Sequence, residues 1–594
     1  MVDTLTLVLA AVVGYTVMGL AVKRRGLLPR WVRLSGPITT LHTERGRVLL
    51  DRLAAPKRLW RAWGNLGVGI ALVVMAGSFV LVLFAGLQAL ANPQPSALTQ
   101  PRNVLAIPGV NDFLPLSAAV EIVAALLVGL VVHEGGHGLM CRVEDIEVDS
   151  MGLALLAFVP IGAFVEPDEA SRDAASRGAQ TRMFAAGVTN NFAVAAVAFA
   201  LLFGPVVGSI AVVSGVPVAG VLPGAAAAQA GIDRGDVITG VEGSPVADGE
   251  ALDTALAGTN ARTVAVQLRS GETVTVERSL VVTGAVADAP LPVNATIVAI
   301  NGTTVHTEQA FRAALSDREV ARITTADGET ATTPAGAYTR VTPPERGQSP
   351  LANASGLGGE RFTITRFDGQ RIVDGEALGE ALDDTEPGQR ATVTGYHDGE
   401  RRTYEVRLGD NPREPTGFLG VSIRRGTSGM TVDDFGIDEY PAATFLAALG
   451  GDTNDPRFGA VDGPLTRAYL TLSLPFAAVT FPGIDHPFPG FVGVYENFYV
   501  AGDGPLSFLG TGLLLLVGSL LFWTAWINVI IGQFNCVPAF PLDGGHILRT
   551  STQAVVARLP VDDKHAATRA VTVSVGLLML ASLLLMVFGP QLLG

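Results

Sequence analysis

Apolar residues in this chain gather into a few long runs. Six stretches approach the roughly 20 residues that a helix needs to cross a bilayer: about 5–22, 66–90, 116–140, 183–207, 508–531 and 571–593. The pattern predicts a polytopic α-helical membrane protein of about six transmembrane helices. Lys23, Arg24 and Arg25 follow the first run instead of preceding it. A cleaved signal shows the reverse order, so the run reads as a retained anchor. The loop after it carries eleven Lys and Arg residues between positions 23 and 61, which places it in the cytoplasm by the positive-inside rule. Both termini then lie outside, as does the long stretch 208–505. The basic segments around Arg177 and Arg549 fall inside by the same alternation.

Within 208–505 the pattern changes to short strands and turns. Ile238-Thr-Gly-Val-Glu-Gly243, Ile297-Val-Ala-Ile-Asn-Gly302 and Ile364-Thr-Arg-Phe-Asp-Gly369 each end a strand in a turn ahead of a short helical segment, a weak internal repeat. The first unit, from Val221-Leu-Pro-Gly through Ala230-Gly-Ile-Asp-Arg-Gly-Asp-Val-Ile238, resembles a PDZ domain of the bacterial protease type. The other two keep the strand and turn but lack the Ala-Gly-x-x-x-Gly-Asp run, and generic β-rich spacers remain an alternative. The expected organisation has seven segments. Residues 1–92 hold two N-terminal spans with their basic loop, and 93–208 the first half of a membrane core. Residues 209–282 form a PDZ domain, 283–345 and 346–430 two PDZ-like repeats, and 431–505 a linker of unknown fold. The second half of the core and the last span occupy 506–594.

Composition supports the membrane reading, since 48% of residues are hydrophobic and only 16% charged. A net charge of -14 argues against nucleic-acid partners, because a phosphate backbone needs a basic surface. Three Lys among 41 basic residues, with excess acid, suggest a salt-adapted halophile proteome. Cys141 and Cys536 are too few for a disulfide scaffold and read as two reduced apolar residues.

Chemistry enters with His133-Glu-Gly-Gly-His137 in the third run. Residues four apart share a helix face, so both imidazoles can reach one ion while Glu134 stands beside a metal-bound water as its base. Zinc suits imidazole and keeps one position open for water in catalytic sites. Ionisable side chains at membrane depth cost roughly 2.5–3.5 kcal/mol each on insertion scales, so three within five residues call for a shared purpose. A solvated helix end is the bland alternative. A third ligand is sought near Asn535-Cys-Val-Pro538-Ala-Phe-Pro541-Leu-Asp543-Gly-Gly-His546, where two prolines must break the fifth span. Asp543 lies in that break, with His546 as a competing ligand.

His-Glu-x-x-His in one span, Asn-x-x-Pro-x-x-Pro-Leu-Asp-Gly in a later one and a PDZ region between them resemble the site-2 family of intramembrane zinc metalloproteases. The resemblance implies one Zn2+ ion held by His133, His137 and Asp543, with Glu134 catalytic, acting on transmembrane protein substrates within the lipid bilayer by regulated intramembrane proteolysis. It also implies a cell-membrane location, with the PDZ-like region outside and the active site near the cytoplasmic side. Asn535 in the second motif is a candidate substrate or oxyanion group. Gly162-Ala-Phe-Val-Glu166 resembles the family's membrane-dipping hairpin, whose edge strand would hold unwound substrate through Gly162 and Phe164; an amphipathic linker is the alternative. Ala186-Gly-Val-Thr-Asn-Asn191 resembles Ala-Gly-Pro-x-x-Asn, with Val188 in place of proline. Asn191 could bind substrate or the oxyanion, or be a satisfied interhelical Asn.

Two competing functions remain. A non-catalytic membrane receptor or scaffold could bind outer-side peptides through the PDZ-like array, although it would need no base beside two metal ligands. A prenyl-protein type of metalloprotease would draw its third ligand from a Glu on a later helix, and no such motif outcompetes Leu-Asp-Gly.

Overall fold

The computed structural model describes residues 4–29, 31–93, 100, 103, 107–111, 113–156, 159–412, 414–451, 463–481 and 483–593. Parts of the expected 93–208 and 431–505 segments lie outside them. The chain divides into two compact units, Met1–Val212 with Pro441–Gly594, and Val213–Tyr440.

The first unit is built on helices. Among the described residues five are long and apolar enough to cross a membrane: Lys57–Ala91, Leu116–Val143, Arg177–Ser209, Ser507–Asn535 and Lys564–Leu592. The first expected run does form a helix, α1 (Thr4–Arg24), but it is not among those five. The loop after it is more than a basic connector. It folds into strands β1 (Val32–Ser35) and β2 (Ile38–His42) and helix α2 (Glu44–Leu53), ahead of the long α3 (Lys57–Ala91). Helix α4 (Ala119–Val143) carries the His-Glu-Gly-Gly-His motif. It leads into strands β3 (Val148–Leu156) and β4 (Val159–Pro167), then a short α5 (Glu169–Ala174) and α6 (Arg177–Leu201).

The four strands make one antiparallel sheet in the order β1-β2-β3-β4, so β4 is an edge. Helix α2 packs on α4 through Gly138, where an added Cβ would lie 2.7 Å from Leu50. Arg142 of α4 pairs with Asp51 of α2 at 2.9 Å.

After the second unit, the first resumes with two short helices (Ala442–Ala448 and Pro464–Ser473) and a loop whose aromatic side chains pack on the long helix α7 (Gly510–Asn535). Phe488 stands edge-on to Phe522 at 5.2 Å, and Trp523 donates to the Pro489 carbonyl at 3.0 Å. Two further helices follow, α8 (Asp543–Val556) and α9 (Lys564–Leu593). Small residues bring the spans together. A Cβ on Gly136 of α4 would meet the Ala186 carbonyl of α6 at 2.9 Å, and one on Gly532 of α7 would meet the Phe192 ring of α6 at 3.0 Å.

The second unit contains three antiparallel sheets built alike. In each, a strand ends in a turn whose first residue has positive φ (Glu242, Asn301, Asp368) and whose second is glycine (Gly243, Gly302, Gly369). That pair suits the tight hairpin turn matching sheet twist. Each turn residue also receives a backbone N–H on its side chain, from Ala265, Arg322 and Thr392 respectively. A nine-residue helix follows each turn: Gly249–Ala257, Glu308–Ser316 and Gly375–Asp383. Their N-cap side chains are Asp248, Thr307 and Asp374. The repeated wording of the sequence is therefore a repeated turn-and-cap geometry.

The closing strands arrive in reverse order. Val421–Ile423 joins the third sheet through Ala337–Val341, Met430–Asp433 joins the second through Leu280–Ala285, and Ile437–Glu439 joins the first through Val216–Val221. The third sheet is thus nested within the second and the second within the first. Met430 and Phe435 lie in the cores of the second and first sheets respectively. The expected divisions at 282/283 and 430/431 fall inside strands, because sheet pairing joins residues up to about 220 positions apart, beyond the reach of any local pattern. Arg278 and Asp434, both buried and 2.7 Å apart, link the first two sheets. Arg278 donates to the Leu256 and Thr259 carbonyls, and Asp434 accepts the Glu308 backbone N–H.

Candidate metal centre

Helix α4 presents His133 and His137 one turn apart, both buried. The chain leaves α7 at Asn535, passes through Pro538 and Pro541, and resumes as α8 at Asp543. Asp543 is thus the first residue of a helix and not part of the turn, and its carboxylate sits where the helix dipole favours negative charge. The two glycines after it allow this re-entry. A Cβ on Gly544 would lie 2.4 Å from the Val537 carbonyl, and one on Gly545 2.8 Å from the Ala539 carbonyl.

The Nε2 atoms of His133 and His137 lie 3.2 Å apart, and Asp543 Oδ2 lies 3.1 Å and 3.2 Å from them. These three form a group whose ligand atoms all lie within 4.8 Å of one another. The protons around them are fixed from behind. His137 Nδ1 lies 2.8 Å from the Met183 carbonyl oxygen, which can only accept, so that nitrogen carries the hydrogen. His133 Nδ1 lies 2.7 Å from Asn191 Oδ1, while Asn191 Nδ2 donates to the Gly129 carbonyl and to Asn528 Oδ1. In the neutral ring each Nε2 is then a bare lone pair. Two such nitrogens face a buried carboxylate oxygen that finds no hydrogen-bond donor. Three lone-pair donors repel unless a cation sits among them, so the residues present fit a divalent metal with imidazole and carboxylate ligands.

Glu134 projects from the same helix toward the sheet, where its Oε2 accepts the Val165 backbone N–H at 2.9 Å. The Met151 carbonyl faces away from β4, accepting from Thr43 N. Its partner Val165 therefore turns N–H and C=O away from β3, the N–H onto Glu134, and alternation turns those of Ala163 to the same edge.

The remaining expected residues fall differently. Asn191 is fully buried with its oxygen and both amide hydrogens engaged, leaving no donor for an oxyanion; its contacts join α4, α6 and α7. Asn535 donates to the Ile531 carbonyl of its own helix and is not in the converging group. Gly162 and Phe164 alternate with the edge-facing residues, so their backbone groups pair with β3, and the Phe164 ring stands edge-on to His42 at 5.1 Å. His546 lies outside the group as well. Its ring stacks on Phe184 at 4.3 Å with planes 6° apart.

The chain matches the model of peptidase family M50 over residues 121–431 and 493–581, about two thirds of its length. It belongs to that family, the site-2 protease family. The match takes in both helices that bring ligands to the centre, and with the apolar spans it makes the chain a membrane-bound member of a metalloprotease family. Curated relatives are distant. An uncharacterized protein of Methanocaldococcus jannaschii is 29% identical over 129 residues, 21% of this chain and 32% of the relative. Rip3 of Mycobacterium tuberculosis, a proposed zinc metalloprotease, is 27% identical over 107 residues, 18% of this chain and 20% of the relative. The chain thus spans about a third or less of the length of these relatives.

Some contributors to this candidate centre were not among the expected residues. Gly187 is one, since an added Cβ would lie 2.7 Å from His137 Nε2 and 2.8 Å from His133 Cε1. Its place in the Ala-Gly-Val-Thr-Asn-Asn segment was the available signal. Asn528 was visible as an amide in an apolar span. The Met183 carbonyl and Val165 N–H are backbone groups and leave no mark in a sequence.

Proposed function

We propose that the chain is an intramembrane zinc endoprotease that hydrolyses peptide bonds of membrane-spanning proteins by regulated intramembrane proteolysis. The observation that carries this reading is the convergence of His133, His137 and Asp543 on one point inside a bundle of apolar helices. Zinc held there would supply a Lewis acid that activates water at neutral pH. His133, His137 and Asp543 are its ligands, and Met183 and Asn191 orient the imidazoles as outer partners. Glu134 takes a proton from the attacking water and returns it to the leaving amine.

Substrate reaches the site as an added strand on β4. A helical peptide bond is shielded by its own backbone, and pairing with Ala163 and with the Val165 carbonyl replaces hydrogen bonds lost in unwinding, while the Val165 N–H stays on Glu134. Asn535, the last residue of α7, would contact the bound substrate. The spans number six with α1 included, and the basic loop, the centre and the Arg549 segment lie toward the cytoplasm. The second unit is a PDZ-like array on the outer side that selects or gates substrates.

The deciding experiment measures zinc by mass spectrometry on purified wild type and His133→Ala, alongside cleavage of a single-span reporter in proteoliposomes. One zinc per chain and cleavage, both lost in the variant, are expected. Cleavage by a zinc-free variant would refute the proposal.

A further inference from the structure

The His546 ring is not part of the metal centre. It lines a separate cavity of about 660 Å³ between α5, α6, α8 and α9, at the end of the spans where the metal donors lie. Four basic side chains line this cavity, Arg172, Arg177, Arg549 and Lys564, against one carboxylate, Asp173. That balance opposes the chain as a whole, which carries 55 acidic residues against 41 basic.

The acid and the walls are accounted for. Asp173 pairs with Arg172 at 3.2 Å, and the nearby Asp563 caps α9 by accepting the Ala566 N–H at 2.9 Å. Among the described residues neither Arg177 nor Arg549 pairs with a carboxylate. Gln180 fixes the turn between α5 and α6, donating to the Arg172 and Ala175 carbonyls at 3.0 Å each, and Thr181 bonds Thr550 across α6 and α8 at 3.0 Å. The cations are therefore held around one cavity by ordered backbone. Arg177, Arg549 and Lys564 face solvent at this cavity, Lys564 donating to the Ala557 carbonyl at 3.0 Å, so their charges are open to an incoming anion, and basic pockets between membrane helices suit phosphate headgroups.

We propose that this cavity binds a phosphate group, carried either by an anionic phospholipid of the surrounding bilayer or by a soluble phosphate. Arginine supplies the planar fork that matches phosphate oxygens, and two arginines reach the cavity from different helices, α6 and α8. An occupant would clamp α8, which carries Asp543, to α6, which carries Met183.

The test uses the full chain in phosphatidylcholine nanodiscs, to which phosphatidylglycerol or inorganic phosphate is added. Native mass spectrometry reads retained lipid, and tryptophan fluorescence reads the unfolding midpoint. Wild type should bind one of the two probes. Arg177→Gln with Arg549→Gln should bind it on the order of 30-fold more weakly, from about 1 kcal/mol per cation. Arg45→Gln with Arg52→Gln removes the same charge from exposed positions of α2 and should bind as wild type. Retained phosphatidylglycerol with no response to phosphate identifies a lipid headgroup; a raised midpoint with phosphate alone identifies a soluble phosphate. Equal binding by wild type and both double variants, or equal loss in both, would overturn the proposal. None of these readouts depends on protease activity.

Discussion

The Nδ1 atom of His137 donates to the carbonyl oxygen of Met183 at 2.8 Å, so a backbone group of α6 dictates which nitrogen of an α4 imidazole is left for a metal. The companion contact of His133 Nδ1 with Asn191 Oδ1 does the same through a side chain. Together they make α6 the element that sets the protonation of the centre, although it contributes no metal ligand itself.

Asn191→Leu should weaken metal binding by about 10- to 100-fold, the usual effect of removing a hydrogen-bonding partner from a ligating histidine. Competition with a chelator of known affinity measures it. Wild-type affinity in this variant would mean that packing alone orients His133.

Glu134→Gln and Asp543→Asn separate base from ligand. The first should retain zinc and lose about 100- to 10,000-fold in turnover, the range for a positioned general base. The second should lose zinc, because a neutral amide replaces the only anionic ligand. Full zinc occupancy in Asp543→Asn would reassign the third ligand.

Gly187→Ala places a methyl group against both imidazoles, 2.7 Å from His137 Nε2. Overpacking of this kind costs about 1–3 kcal/mol. We expect reduced zinc occupancy with an unchanged α-helical circular dichroism spectrum. Normal occupancy would show that α6 can shift away from α4.

The second unit should weaken as pH rises through neutrality. Burial, helped by Asp434 and Asp433, pushes the Glu308 carboxyl up to about 7 from its ordinary 4.5. The folded state then binds the proton more tightly than the unfolded state, so this stability is fully present below pH 4.5 and lost as pH passes about 7. At about 1.4 kcal/mol per pH unit, the rise from 4.5 to about 7 corresponds to a loss of roughly 3–4 kcal/mol. Glu308→Gln should raise the unfolding midpoint at pH 8 and leave it nearly unchanged at pH 4.5. The opposite dependence would place Glu308 in a stabilising ion pair.

The sequence by itself determined what local periodicity can carry. Of six apolar runs, five became helices long and apolar enough to cross a membrane, the four-residue spacing put two imidazoles on one face, and the Glu-Gly, Asn-Gly and Asp-Gly steps marked the three repeated turns. In each case the partners lie within one or two helical turns or one hairpin, so spacing alone fixes their geometry. Only the tertiary structure decided the rest. It carried Asp543 across about 400 residues to the two histidines, committed Asn191 to orienting one of them, and turned His546 to a different cavity. It also recruited the basic loop into the sheet with β3 and β4, and closed three sheets with strands delivered in reverse order. These pairings depend on which buried surfaces and backbone edges meet in the folded chain, and sequence separation holds no record of that.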